Sequence, residues 1–120
     1  MSYFLTPLAC DGGCFGKRFK IMLSHNVFFW LKPDLTDEQR AEFVEALSAL
    51  RQIPTLHTFL MGTPADVADR PVVDKSFDYS VTCLFENMED HDTYQAHPLH
   101  VAFLEQGKPK WVRAQVYDMD

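Results

Sequence analysis

Two histidines and a tyrosine lie close together in the run Tyr94-Gln-Ala-His97-Pro98-Leu-His100-Val-Ala-Phe103. An imidazole has an unperturbed pKa of about 6.5, so histidine gives or takes a proton near neutral pH, where carboxylates and lysines do so only after large pKa shifts. The phenol of tyrosine adds a hydrogen-bond donor. This combination of side chains predicts general acid/base chemistry.

Pro98 determines how these side chains are placed. Proline suits the first position of a helix, because its φ is fixed and its missing N–H is not needed there. We therefore predict one short helix from about Asn87, a kink near residues 96–97, and a second helix that starts at Pro98. His97 is then the expected cap of the second helix, and it is also a candidate binding residue.

His100 and Phe103 are three residues apart and share one face of the second helix, so His100 is expected to point toward the core with Phe103. We predict that His100 is the general base and that Tyr94 assists it. The alternative is a core histidine that is hydrogen-bonded to Tyr94 or to a backbone carbonyl, since buried polar groups usually have partners.

Alternating and helical patterns predict the elements that position these groups. Strands are predicted at residues 24–32, 56–61, 77–85 and 111–117, and a helix at about 36–52 begins with the capping-box residues Thr36 and Gln39. The last strand is expected to place Trp111 on the same face as Arg113. The order β-α-β-β-α-β predicts an α+β, ferredoxin-like fold, with a four-stranded antiparallel sheet and helices on one face.

The first strand carries large apolar side chains on both faces. One face is expected to lie under the helices and consists of His25, Val27, Phe29 and Leu31. The other face holds Phe28 and Trp30, which should also be covered, and a second copy of the chain is the expected cover.

A binding pocket is predicted between the sheet and the helices, next to His100. Its expected wall residues are His25, Val27, Phe29, Tyr79 and Val81, which point inward by strand alternation. The alternative for Tyr79 is a purely structural role in the sheet.

Other aromatic residues at strand or helix spacing are predicted to be core, namely Phe43, Phe59 and Phe77. His57 and His91 are predicted to lie on the surface.

Length, charge and cysteine content exclude several classes of protein. The chain has 120 residues and a net charge of −6 without a basic stripe, so nucleic acid and anionic membrane are not expected partners. It lacks an apolar run of about 20 residues, so no membrane span is predicted. Residues 1–22 are predicted to be an N-terminal extension, and residues 23–120 a single domain.

The histidines and cysteines do not form a recognisable metal motif. His97 and His100 lack the glutamate of an H-E-x-x-H pattern, and Cys10 and Cys14 are not followed by a second pair of ligands. Cys83 is expected to be a free, buried thiol. We predict no metal, no cofactor and a cytoplasmic protein.

Several of these segments together resemble the stress-responsive dimeric α/β-barrel (Dabb) family over about residues 24–118. They are His25-Asn-Val-Phe-Phe-Trp-Leu-Lys-Pro33, the Thr36-Asp-Glu-Gln helix start, Ile53-Pro54 and Tyr94-x-x-His97-Pro98-x-His100-x-x-Phe103. The resemblance implies a homodimer whose two sheets face each other as a barrel.

In a polyketide cyclase of this family, the catalytic histidine corresponds to His100 and the assisting tyrosine corresponds to Tyr94. This match implies cofactor-free proton abstraction next to a carbonyl. The sequence departs from that cyclase at Tyr79 and Leu47, which stand where the cyclase has a histidine and a tyrosine, so a different substrate is expected.

Two functions follow from the sequence. The first is a cofactor-free, polyketide cyclase-like enzyme that acts on a small apolar carbonyl compound. The alternative is a non-catalytic dimeric protein with a ligand-binding or structural role in stress. A third option is a cofactor-independent oxygenase of the kind found in related dimeric barrels. Geometry distinguishes the enzyme from the non-catalytic protein. An enclosed cavity bordered by His100 and Tyr94 within hydrogen-bond reach of each other would favour the enzyme, whereas a space filled by side chains would disfavour it.

Overall fold

A computed structural model describes residues 22–120, which form four strands and three helices. In chain order they are β1 (Leu23–Leu31), α1 (Asp37–Ala49), β2 (Thr58–Gly62), β3 (Tyr79–Phe85), α2 (Met88–Ala96), α3 (Pro98–Gly107) and β4 (Trp111–Met119). Short 3-10 turns, Leu50–Gln52 and Lys108–Lys110, follow α1 and precede β4. Apart from Met22, the predicted N-terminal extension with Cys10 and Cys14 lies outside the described residues.

The strands form one antiparallel sheet in the order β2-β3-β1-β4. The helices cover one face of this sheet, so the predicted α+β, ferredoxin-like arrangement is confirmed. Burial alternates strictly along β1, because odd-numbered residues point under the helices and even-numbered residues point to the open face. The central strand therefore supplies His25, Val27 and Phe29 to the core.

The capping box at the start of α1 is present as predicted. Thr36 Oγ1 accepts from the Gln39 backbone N–H at 3.1 Å, and Gln39 Oε1 accepts from the Thr36 backbone N–H at 2.9 Å. These bonds satisfy two of the free donors at a helix start. The helix they begin buries Phe43 and Leu47 completely against the sheet.

The kink between α2 and α3 also follows the prediction. Asn87 caps α2 by accepting from the Asp90 backbone N–H at 2.8 Å. Pro98 is the first residue of α3, and His97 Nδ1 accepts from the Leu99 backbone N–H at 3.1 Å. The His97 side chain is thus used as a helix cap, which turns His100 toward the sheet.

The prediction that Phe77 belongs to the helix-side core is wrong. β3 begins at Tyr79, and Phe77 packs edge-to-face on Phe28 of the open face, with ring centroids 5.0 Å apart. Asp78 explains the difference, because its backbone N–H donates to the Phe29 carbonyl and its Oδ2 accepts from the Leu31 N–H at 2.7 Å. These bonds fix a bend before β3, so strand alternation does not extend back to Phe77.

The predicted face of Trp111 is also wrong. A register shift between Trp30 and Leu31 opposes Leu31 to Trp111 and Trp30 to Arg113, which leaves Val112 as an extra residue. Because of this extra residue, Trp111 and Arg113 lie on opposite faces of the sheet, as their partners Leu31 and Trp30 do. Trp111 consequently packs on the helix side, with its ring centroid 5.1 Å from that of Phe29.

Gly107 ends α3 where it meets the aromatic core. A Cβ at this position would lie 3.0 Å from Trp111 Cζ3 and 3.3 Å from Phe43 Cε1. We expect Gly107→Ala to lower the free energy of unfolding by about 1–3 kcal/mol, because overpacking displaces buried rings. Urea denaturation measures this loss. Gly62→Ala is the control, since no atom lies within 4 Å of its added Cβ; equal stabilities of the two variants would contradict the prediction.

Candidate active site in a cavity between sheet and helices

A cavity of about 200 Å³ lies between the sheet and the helices. Its polar wall residues are His25, Gln95 and His100. The remaining wall is aliphatic or aromatic and consists of Val27, Phe29, Leu47, Leu50, Val81, Tyr94, Phe103, Leu104, Trp111, Ala114 and Val116. Since an apolar cavity of about 150 Å³ is enough to bind benzene, this space suits a compact, mostly apolar molecule.

His100 lies on the wall of this cavity and is only 7% exposed. Its Nδ1 is buried and has no hydrogen-bond partner among residues 22–120. Burial lowers the pKa of His100, the neighbouring His25 and His91 lower it further by charge repulsion, and a hydrogen bond with the Gln95 backbone opposes the shift. The lowered pKa favours the neutral imidazole, which is the form that can accept a proton.

Tyr94 contacts His100 through its ring, not through its hydroxyl. The two ring centroids are 4.9 Å apart, whereas the Tyr94 hydroxyl lies 3.6 Å from Cys83 Sγ. No hydrogen bond joins Tyr94 to His100 in the part of the chain that the structure describes. Burial raises the pKa of Tyr94 and raises the pKa of Cys83 to about 11, so both groups keep their protons at neutral pH.

His25 is held from outside the cavity by Asp118. His25 Nδ1 lies 2.6 Å from Asp118 Oδ1, and the two residues face each other across the pairing of β1 with β4. The side chain of His25 is 8% exposed and that of Asp118 is 47% exposed. Asp118 was not predicted from the sequence, because the contact joins residues 93 positions apart.

The prediction that His91 is a surface residue is wrong. Its side chain is 16% exposed, and its ring packs edge-on against Phe85 and His25, with centroid distances of 5.5 and 5.2 Å. His91 precedes Tyr94 by three residues on α2, so both lie on the same helix face. That spacing is the sequence signal that identifies His91 as part of the cluster.

The structure brings most of the predicted site residues together. Six of them line the cavity, namely His25, Val27, Phe29, Val81, Tyr94 and His100. Tyr79 lies elsewhere, in an open cleft beside α1 with Arg40 and Val44, and its ring is 6.0 Å from that of Phe43.

The described residues offer no metal centre and no membrane segment. Within residues 22–120, no group of three or more histidine, cysteine, aspartate or glutamate side chains is placed to hold a metal ion. None of the helices over the same range is long and apolar enough to cross a membrane.

A family model described as Stress responsive A/B Barrel Domain matches residues 23–120. The chain belongs to this family. A search of curated proteins found no match. Solved structures of similar fold include a Dabb family protein from Mesorhizobium loti, with 24% identity and a TM-score of 0.65 over 82% of this chain and 95% of that one.

Two further structures share the fold of this family member. A dimeric ferredoxin-like protein of unknown function from Thermobifida fusca has 24% identity and a TM-score of 0.66, over 82% of this chain and 89% of that one. A hydroxynitrile lyase from Passiflora edulis has 20% identity and a TM-score of 0.68, over 84% of this chain and 94% of that one. At these identities the likeness establishes the fold alone.

Proposed function

We propose that this Dabb family protein is a cofactor-free enzyme that moves a proton on a small, mostly apolar carbonyl compound, with His100 as the general base. The observation that carries the proposal is a buried, neutral histidine with an unpartnered ring nitrogen on the wall of an apolar cavity. An unsatisfied buried nitrogen costs about 1–3 kcal/mol, so its presence beside a cavity needs an explanation, and a substrate proton supplies one.

In the proposed reaction, His100 removes a proton from the carbon next to the carbonyl and leaves an enolate. Tyr94 is the partner that orients the imidazole through the ring contact at 4.9 Å. The largely apolar wall lowers the polarity around the imidazole, which strengthens the interactions that act on the developing charge. An aldol cyclisation of the polyketide cyclase type begins with this step, and the Passiflora edulis lyase is one enzyme that shares the fold.

The proposed assembly is a homodimer in which the open sheet faces of two copies meet. Aromatic side chains on this face cluster around Arg113, whose guanidinium lies 4.1 Å from the Trp30 ring centroid. Tyr117 and Leu60 are 60% and 61% exposed in the single chain. Exposed apolar groups of this kind mark an interface, and similar structures are described as dimeric.

The expected location is the cytoplasm, where a free thiol such as Cys83 stays reduced.

A non-catalytic, ligand-binding dimer is the second candidate. The contact that favours it joins the Tyr94 hydroxyl to Cys83 Sγ. The phenol hydroxyl therefore does not hydrogen-bond to His100. In this reading, the cavity holds an apolar ligand without changing it.

Deuterium exchange distinguishes the two candidates without knowledge of the natural substrate. Phenylacetone is a compact ketone with acidic protons next to its carbonyl, and NMR in D₂O follows their replacement. We expect protein-dependent exchange that saturates with ketone concentration. Chemical-shift perturbation tests separately whether phenylacetone binds in the cavity. If phenylacetone binds but its protons exchange no faster than in buffer alone, the enzyme is rejected and the ligand-binding dimer is supported.

A further inference from the structure

The contact between His25 and Asp118 has the geometry of a positioned histidine. The Nδ1 to Oδ1 distance of 2.6 Å is short for a hydrogen bond that involves an ionised carboxylate. His25 lines the cavity and is buried, whereas Asp118 is not one of the cavity's wall residues and is about half exposed. The carboxylate thus approaches the ring from the outer side, and the other ring nitrogen, Nε2, lies on the opposite side of the imidazole.

The chemistry of the two partners determines where the His25 proton lies. An ionised carboxylate only accepts hydrogen bonds, so Nδ1 must carry the proton that joins it to Asp118. A neutral imidazole then has no proton on Nε2, which is an acceptor. Nε2 has no hydrogen-bond partner among residues 22–120.

We propose that Asp118 is a positioning residue that fixes His25 in the Nδ1–H tautomer, so that Nε2 accepts a hydrogen bond from a hydroxyl group of the bound molecule. This inference rests on the proposed function for the identity of the cavity as the substrate site. It adds a substrate class, namely a compact apolar molecule that carries a hydroxyl or enol group as well as a carbonyl.

The tautomer of His25 is measured directly by ¹⁵N–¹H correlation NMR at a pH where the ring is neutral. We expect the Nδ1–H form in the unmodified protein. Asp118→Ala removes the acceptor and should shift His25 toward the Nε2–H form, which dominates for free neutral histidine. The matched control is Asp92→Ala, because Asp92 also contacts a histidine nitrogen, His91 Nδ1 at 3.2 Å, but is 70% exposed. It should leave the His25 tautomer unchanged.

Ligand preference tests the substrate class. Phenol and anisole have similar shapes, but only phenol has a hydroxyl donor. One hydrogen bond is worth about 0.5–1.5 kcal/mol, so phenol should bind the unmodified protein about 2- to 12-fold more tightly than anisole. Asp118→Ala should abolish this preference, and Asp92→Ala should retain it.

An Nε2–H tautomer of His25 in the unmodified protein would overturn the proposal, as would a tautomer that does not respond to Asp118→Ala. Equal affinities of phenol and anisole for the unmodified protein would overturn the substrate class. Neither the tautomer measurement nor the affinity measurement requires turnover. Failure of the proposed role of Asp118 is therefore distinguishable from failure of the proposed reaction. If phenylacetone exchange is absent while the tautomer and the phenol preference hold, His100 catalysis is rejected and the role of Asp118 stands.

Discussion

Replacing His100 by alanine should lower the protein-dependent deuterium exchange of phenylacetone by at least about 100-fold, the usual contribution of a positioned general base. His100 is the cavity histidine whose Nδ1 is unpartnered and whose pKa is lowered by burial. Alanine removes this proton acceptor and leaves the apolar walls in place. NMR exchange rates at equal protein and ketone concentrations measure the loss.

Two further variants separate chemistry from folding. His100→Gln retains most of the side-chain volume but cannot accept a proton at neutral pH, so it should lose exchange as alanine does. His57→Ala is the matched control, because His57 is an exposed histidine whose Nδ1 contacts Thr58 outside the cavity. Circular dichroism should show an intact fold in all three variants. A folded His100→Ala protein that keeps half or more of the exchange rate would contradict the assignment.

Replacing Trp30 by aspartate should convert the proposed dimer into a monomer. Trp30 lies on the open sheet face, where its Nε1 donates to Ser76 Oγ at 2.9 Å and its ring stacks under Arg113. A carboxylate buried at the centre of an interface costs several kcal/mol, because it loses its hydration. In the monomer, Arg113 remains available as a partner for the new carboxylate, so the single chain should stay folded.

Light scattering after size-exclusion chromatography measures the change in mass. The unmodified protein should have twice the chain mass of 13.8 kDa, and Trp30→Asp should have the single-chain mass. Val101→Asp is the control, since Val101 is an exposed valine on α3, at 43% exposure, on the helix side of the sheet. A monomeric unmodified protein, or an equal effect of both substitutions, would contradict the proposed interface.

Local patterns predicted the parts of the fold that depend on neighbouring residues. Alternation along β1 placed His25, Val27 and Phe29 on the helix side, and Pro98 gave the helix start that turns His100 toward the sheet. These rules succeed because side-chain direction follows from backbone geometry within a few residues. The cavity follows from the same directions, since its walls come from the inward faces of these elements.

Predictions failed where a contact between distant segments changes the side-chain direction that local alternation predicts. Asp78 bonds to β1 and bends the chain before β3, which moves Phe77 to the open face. The bulge at Val112 similarly turns Trp111 inward, and it arises from pairing with β1. Asp118 contacts His25 because β4 pairs with β1 in the observed register, so no spacing rule within a single element identifies that contact.

The pH dependence of phenylacetone exchange, measured together with the NMR titration of His100, tests the central proposal most directly. The base acts in its neutral form, and burial lowers the pKa of His100, so the exchange rate should be constant above about pH 6.5 and fall at lower pH as the ring gains a proton. After subtraction of the buffer rate, the midpoint of this fall should coincide with the midpoint of the His100 titration. An exchange rate that does not change while His100 titrates would contradict the assignment of His100 as the base.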